Sequence, residues 1–117
     1  MDRTEAEEEL SYEFLLSHHE EVNEYETAIY DAVEAIGSVG VRWMKTASGE
    51  ELREKIELCD RAIEAFEAFR RFCYEDGRGG MIYFQDMWEH CFNSKNPDFS
   101  YIDSVIEIRE RLIEYEK

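Results

Sequence analysis

Apolar side chains recur every third or fourth position through most of this chain, which is the period of an α-helix. From Leu15 the repeat steps through Val22, Ile29 and Ile36, with His18, Tyr25 and Ala32 three residues after the first three. That is a heptad-like stripe. The frame runs on through Val39 to Trp43. The pattern therefore predicts a long first helix, 4–36 with an extension to 45, with a kink or short break near Gly37–Gly40. A second stripe, Leu52, Ile56, Cys59, Ile63, Phe66 and Cys73, widened by Ala62 and Phe69, predicts a helix over 49–75. A short, densely apolar helix is expected over 81–92, and a last one over 99–116 with Ile102, Val105, Ile106, Leu112 and Ile113 inward.

The punctuation agrees with this division. Thr4 with Glu7, and Ser48 with Glu51, have the spacing of capping boxes, in which hydroxyl and carboxylate satisfy the free amides of a first turn. Asp98 or Ser100 opens the last helix, with Asp103 able to complete its cap. The stretch Gly77-Arg78-Gly79-Gly80 reads as a flexible turn and lacks the Lys-Ser/Thr of a phosphate loop. Asn93 to Asp98, holding the single proline Pro97, is the remaining break. Only Met81 to Phe84 resembles a strand, and it has no second strand to pair with. The expected fold is all-α: one domain over 1–117, a compact bundle of about four helices.

Charge changes this ordinary picture. Of the residues, 36% are charged, and the net charge is −16. An acidic surface of this kind disfavours direct contact with nucleic acid or anionic membranes and favours basic protein partners. The excess is not evenly spread. Residues 1–41 hold twelve acids (Asp2, Glu5, Glu7, Glu8, Glu9, Glu13, Glu20, Glu21, Glu24, Glu26, Asp31 and Glu34) against one cation, Arg3, a net −11. Residues 42–117 hold 17 acids and 12 cations, a net −5.

The second helix offers Glu51–Lys55, Glu57–Arg61 and Glu67–Arg71 at i,i+4, each worth a few tenths of a kcal/mol. The first has no Lys or Arg between Arg3 and Arg42, and places like charges at i,i+4, Glu5–Glu9 and Glu20–Glu24. Acids in a first turn meet the positive end of the helix, but that reason does not reach Glu20 to Glu34.

In the heptad frame Glu13, Glu20 and Glu34 share one outer column, and Glu24 and Asp31 lie beside them. The spacing implies a carboxylate ridge of about 30 Å, with Leu16 and Tyr30 near it on the outer surface. Such a ridge suits a groove lined with Lys and Arg, as a substitute for the phosphates of a nucleic acid. The expected function is thus a non-enzymatic acidic binding protein, with an inhibitor of a nucleic-acid-handling enzyme as its most specific form. The chain resembles small acidic phage inhibitors, some anti-CRISPR proteins among them, in size and charge alone. The alternative is a structural or adaptor protein in which the stripe of helix 1, with Tyr25, Ile29 and Ile36, forms a homodimer seam and the acidic face is a solvated surface that serves solubility alone.

Other candidate chemistry is weaker. His18 and His19 are neighbours and point about 100° apart on a helix, so they read as core or boundary residues and not as ligands. Asp86 and His90 are i,i+4, without the Glu-x-x-His pairs of di-iron bundles or the repeated cysteines of zinc sites. Cys91 beside His90 fails as a nucleophile pair, because neighbouring helical side chains diverge. No catalytic residue, metal ligand or cofactor is assigned. Tyr83, Phe84, Met87, Trp88 and Phe92 read as core packing. Arg70, Arg71 and Arg78 suggest a small basic spot suited to self-association with helix 1 of another copy. Cys59, Cys73 and Cys91 form an odd set within apolar patterns, as reduced core thiols of a cytoplasmic protein do. The start of the chain lacks signal-peptide features, and no run reaches the ~18 apolar residues of a membrane span.

Overall fold

The computed structural model describes residues 4–37, 39–87, 89 and 101–116, the side chains of 101–103 excepted. Among the described residues there are six helices and no strand: α1 (Glu5–Ser17), α2 (His19–Ile36), α3 (Val41–Thr46), α4 (Gly49–Asp76), α5 (Arg78–Met87) and α6 (Tyr101–Glu116). The fold is all-α, as the periodicity predicts. The count of about four helices is corrected because the expected first helix is three.

Both capping boxes form. Thr4 Oγ1 accepts from the Glu7 amide at 3.2 Å, and the Glu7 carboxylate accepts from the Thr4 amide at 3.3 Å. Ser48 and Glu51 repeat this at 3.1 and 3.0 Å. The bond from the Ser48 amide, then that from its hydroxyl, holds the Glu51 carboxyl below the usual carboxylate range.

The first interruption falls at His18, which leaves the helical region (φ −126°, ψ 26°) and serves as both the end of α1 and the start of α2. The physical reason lies in the partners: α1 packs mainly on α5, and α2 on α4. The second interruption is the short break, not the kink, of the two forms expected near Gly37–Gly40. Gly37 has φ +69°, which a side chain would resist, and donates to Glu34 O at 3.1 Å. The carbonyl of Ile36 accepts from Lys55 Nζ of α4, a cation at the negative end of α2. The short helix α3 then starts afresh at Val41.

The glycine stretch is also not the flexible turn expected. Gly77 alone separates α4 from α5, at φ +119°. Gly79 and Gly80 lie in the first turn of α5, pressed against other backbones. A Cβ on Gly79 would sit 2.6 Å from Leu10 O, and one on Gly80 2.0 Å from Cys73 O. These glycines let α5 wedge between α1 and the end of α4. Of the aromatic helix expected over 81–92, Phe84 is buried, and Tyr83 and Met87 are half-buried. Trp88, His90, Cys91 and Phe92 lie outside the described residues, as do the expected break at Asn93–Asp98 and the cap at Ser100.

The core follows α4, whose 28 residues span about 42 Å. At one end Phe14, Val22, Ile29, Phe66, Phe69, Cys73 and Phe84 pack together, and at the other Ile36, Met44, Leu52, Cys59, Ala62, Val105 and Leu112. Two clusters in series give a bundle of 53 × 26 × 20 Å. Phe69 is fully buried, in ring contact with Tyr25, Tyr83 and Phe84. On α6, Val105 and Leu112 face inward, while Ile106 is 40% exposed, against its expected place inside. Cys59 and Cys73 are free and buried, and desolvation pushes their thiols up to about 11 and about 12, which leaves them unreactive.

Candidate functional site

α2 presents two chemically distinct faces. Inward, Val22, Ile29 and Ile36 are each 2% exposed against α4, and Tyr25 stacks on Phe72 at 4.9 Å. This is the stripe on which the homodimer reading depends, and α4 covers it within one chain. Outward, Glu20, Glu24, Asp31 and Glu34 are exposed and follow one another at helical spacing. Among the described residues none of the four, nor Glu13 on α1, has a cationic group within 4 Å. No Lys or Arg exists on α2 itself to supply one.

The other acids of this region have occupations. Glu21 faces His18 Nδ1 at 3.0 Å. Glu26 accepts from the Tyr83 hydroxyl at 2.6 Å. Glu7 combines its capping role with a loose approach to Arg78 at 3.9 Å. The basic spot expected from Arg70, Arg71 and Arg78 is thus partly used: Arg78 turns to Glu7, and Arg70 lies 5.2 Å over the Tyr74 ring.

Two features of the expected ridge are corrected. The break at His18 interrupts the helical register, so Glu13 does not continue the column of Glu20 and Glu34. The unbroken part, Glu20 to Glu34, spans about 21 Å instead of 30 Å. Tyr30 does not stand on the outer surface. It is half-buried against the first core cluster. Leu16 is on the outside, 61% exposed, and sequence reasoning missed its partner Tyr12, four residues earlier and equally exposed.

The chain was compared with protein-family models, with curated proteins and with solved structures. Nothing matches. The reading of the surface therefore stands on its own residues.

The concave parts of the molecule offer little chemistry. A groove of about 490 Å³ between α4, α5 and α6 is lined by Ile63, Phe66, Tyr74, Phe84 and Ile106, with Glu67, Arg70 and Gln85 at its rim. Its described lining is mainly apolar, with Glu89 as a second carboxylate in addition to Glu67. Among the described residues no three His, Cys, Asp or Glu side chains converge as metal ligands. Asp86 is half-buried, and His90, its expected companion, lies outside the described residues. No described helix is long and apolar enough to cross a membrane.

Proposed function

We propose that this chain is a non-enzymatic binding protein that docks the outer face of α2 on a basic protein surface. Its most specific form is an inhibitor that fills a nucleic-acid groove. The observation that carries this reading is the row Glu20, Glu24, Asp31 and Glu34, exposed and without a cation within 4 Å among the described residues, on a helix anchored through its other face. A helix held in this way presents its carboxylates at fixed positions, so little ordering entropy is lost on docking.

The charge density favours one kind of groove. Along the outer face four carboxylates span about 21 Å, a mean spacing of about 7 Å. That is closer to the one charge per about 3.4 Å of a single nucleic-acid strand than to the one per about 1.7 Å of a duplex, and sparser than both. Exposed Tyr12 and Leu16 on α1 add large apolar side chains to the N-terminal arm.

The experiment is affinity capture on the immobilised protein, with identification of what binds, beside a Glu20→Lys/Glu24→Lys/Asp31→Lys/Glu34→Lys variant of equal helicity. The wild type is expected to retain a basic nucleic-acid-binding protein that salt releases, since screening shortens from about 10 Å at 0.1 M to about 3 Å at 1 M. The variant is expected to retain none. Equal capture by both, or a partner that salt does not release, removes the acidic face from the account.

A further inference from the structure

His18 occupies the one-residue break between α1 and α2, and both of its ring nitrogens meet carboxylates. Nδ1 lies 3.0 Å from Glu21 Oε2 and Nε2 lies 2.8 Å from Asp76 Oδ1, at the last residue of α4. The ring rests on Phe14 of α1 at 5.1 Å and edge-on against Phe72 of α4 at 5.5 Å, which fixes its plane. A neutral imidazole has one N–H and one lone pair, so it can donate to only one of these oxygens and must turn its lone pair toward the other. The imidazolium donates to both.

The location acts in both directions. The break is the C-terminal end of α1, and Asp76 closes α4, and neither last turn holds a basic residue, so a cation there is favourable. His18 also opens α2, whose positive end opposes a cation, so the two carboxylates carry the preference. The charged groups facing the ring are Glu21 from α2 and Asp76 from α4. Neither has a Lys or Arg within 4 Å among the described residues. Phe14 from α1 carries no charge, and the neighbouring Cys73 thiol, pushed up to about 12, stays neutral throughout the range concerned.

We propose that His18 is a pH-operated clamp, which as an imidazolium ties the α1–α2 elbow to the end of α4 and on deprotonation lets the elbow loosen. Its titration is displaced upward from the ordinary 6.5, first by the hydrogen bond to Glu21, then by the hydrogen bond and charge of Asp76, against an opposing loss of hydration. A raised value fixes the sign. The clamp's contribution is complete below about pH 6.5 and fades as pH rises through the folded-state value. The clamp sets how α1, with Glu13, Tyr12 and Leu16, stands relative to α2, but it does not depend on what that surface binds.

The test follows the ring nitrogens of His18 by NMR in the wild-type chain from about pH 5.5 to 9, with amide exchange of α1 over the same range. The expected result is an imidazolium signal at both nitrogens near pH 6.5 and a midpoint above it. Exchange in α1, corrected for its intrinsic pH dependence, should become several-fold faster through that midpoint. In His18→Gln, which keeps hydrogen-bonding capacity but cannot titrate, the melting-temperature difference from wild type should be largest at low pH and shrink through the midpoint. A neutral single tautomer near pH 6, or corrected α1 exchange that does not respond to the titration, overturns the clamp. The wild-type measurements decide even if the variant does not fold.

Discussion

Along α4 charges are put to structural use. Asp60 takes Arg109 from α6, Arg53 reaches Glu116 at 3.5 Å, Glu51 closes a cap, and Lys55 covers the end of α2 and lies over the Trp43 ring. Along the outer face of α2 the four carboxylates are bound to nothing among the described residues. The two helices pack on each other through the same apolar period, so the core cannot be the cause of this difference. Several charges of α4 contribute to the fold, although others, such as Glu57, Glu64 and Glu67, are also without a cation among the described residues. On α2, Glu20 lies in the first turn and gains from the positive helix end, but it repels Glu24 at i,i+4, and Glu24, Asp31 and Glu34 lie beyond that turn. The docking proposal rests on the three acids beyond the first turn, Glu24, Asp31 and Glu34, which have no partner among the described residues.

Substitutions can break or sharpen this contrast. The largest effect belongs to the core the two helices share. Phe69→Ala should lower unfolding free energy by about 3–5 kcal/mol in urea, because its ring joins the stripes of α2, α4 and α5. A loss below about 1 kcal/mol would mean that α2 is not seated on α4 as described. Next comes charge reversal on the α4 side. Arg109→Glu removes the partner of Asp60 and sets two acids together, so a loss of about 1 kcal/mol is expected in the same assay. The smallest effect has the opposite sign. Glu24→Lys converts Glu20–Glu24 into an attractive i,i+4 pair and should raise stability by about 0.2–0.5 kcal/mol while weakening capture of a basic partner. If Glu24→Lys destabilises as Arg109→Glu does, the two faces are not different in kind.

The sequence legibly carried what depends on local pattern. The stripes through Val22, Ile29 and Ile36 and through Cys59, Phe66 and Cys73 are the buried faces, and Thr4 and Ser48 cap the helices they were expected to cap. It did not show what depends on distant residues. The break at His18 goes with packing on distant elements, α1 on α5 and α2 on α4, and its ring meets Asp76, 58 residues away. The Gly79–Gly80 pair looked like a turn because a close approach to Leu10 and Cys73 has no local signature. The expected Glu57–Arg61 and Glu67–Arg71 pairs do not form, and Lys55 leaves Glu51 for Ile36 O; exposed i,i+4 pairs are weak enough for any better acceptor to win. Within the candidate surface, the exposure of Leu16 and of the four acids of α2 was readable from the heptad frame. The placement of Tyr30 was not, since an apolar stripe wider than the frame draws it inward.

The most direct test of the docking account is competition for one groove. A protein captured through α2 is first loaded with a fluorescent single-stranded oligonucleotide, and the chain is then titrated in while anisotropy is read. Displacement of the oligonucleotide by the wild type, weakened by salt and absent with the four-lysine variant, is the predicted result. A ternary complex in which the oligonucleotide stays bound, or displacement that the variant reproduces, would contradict it.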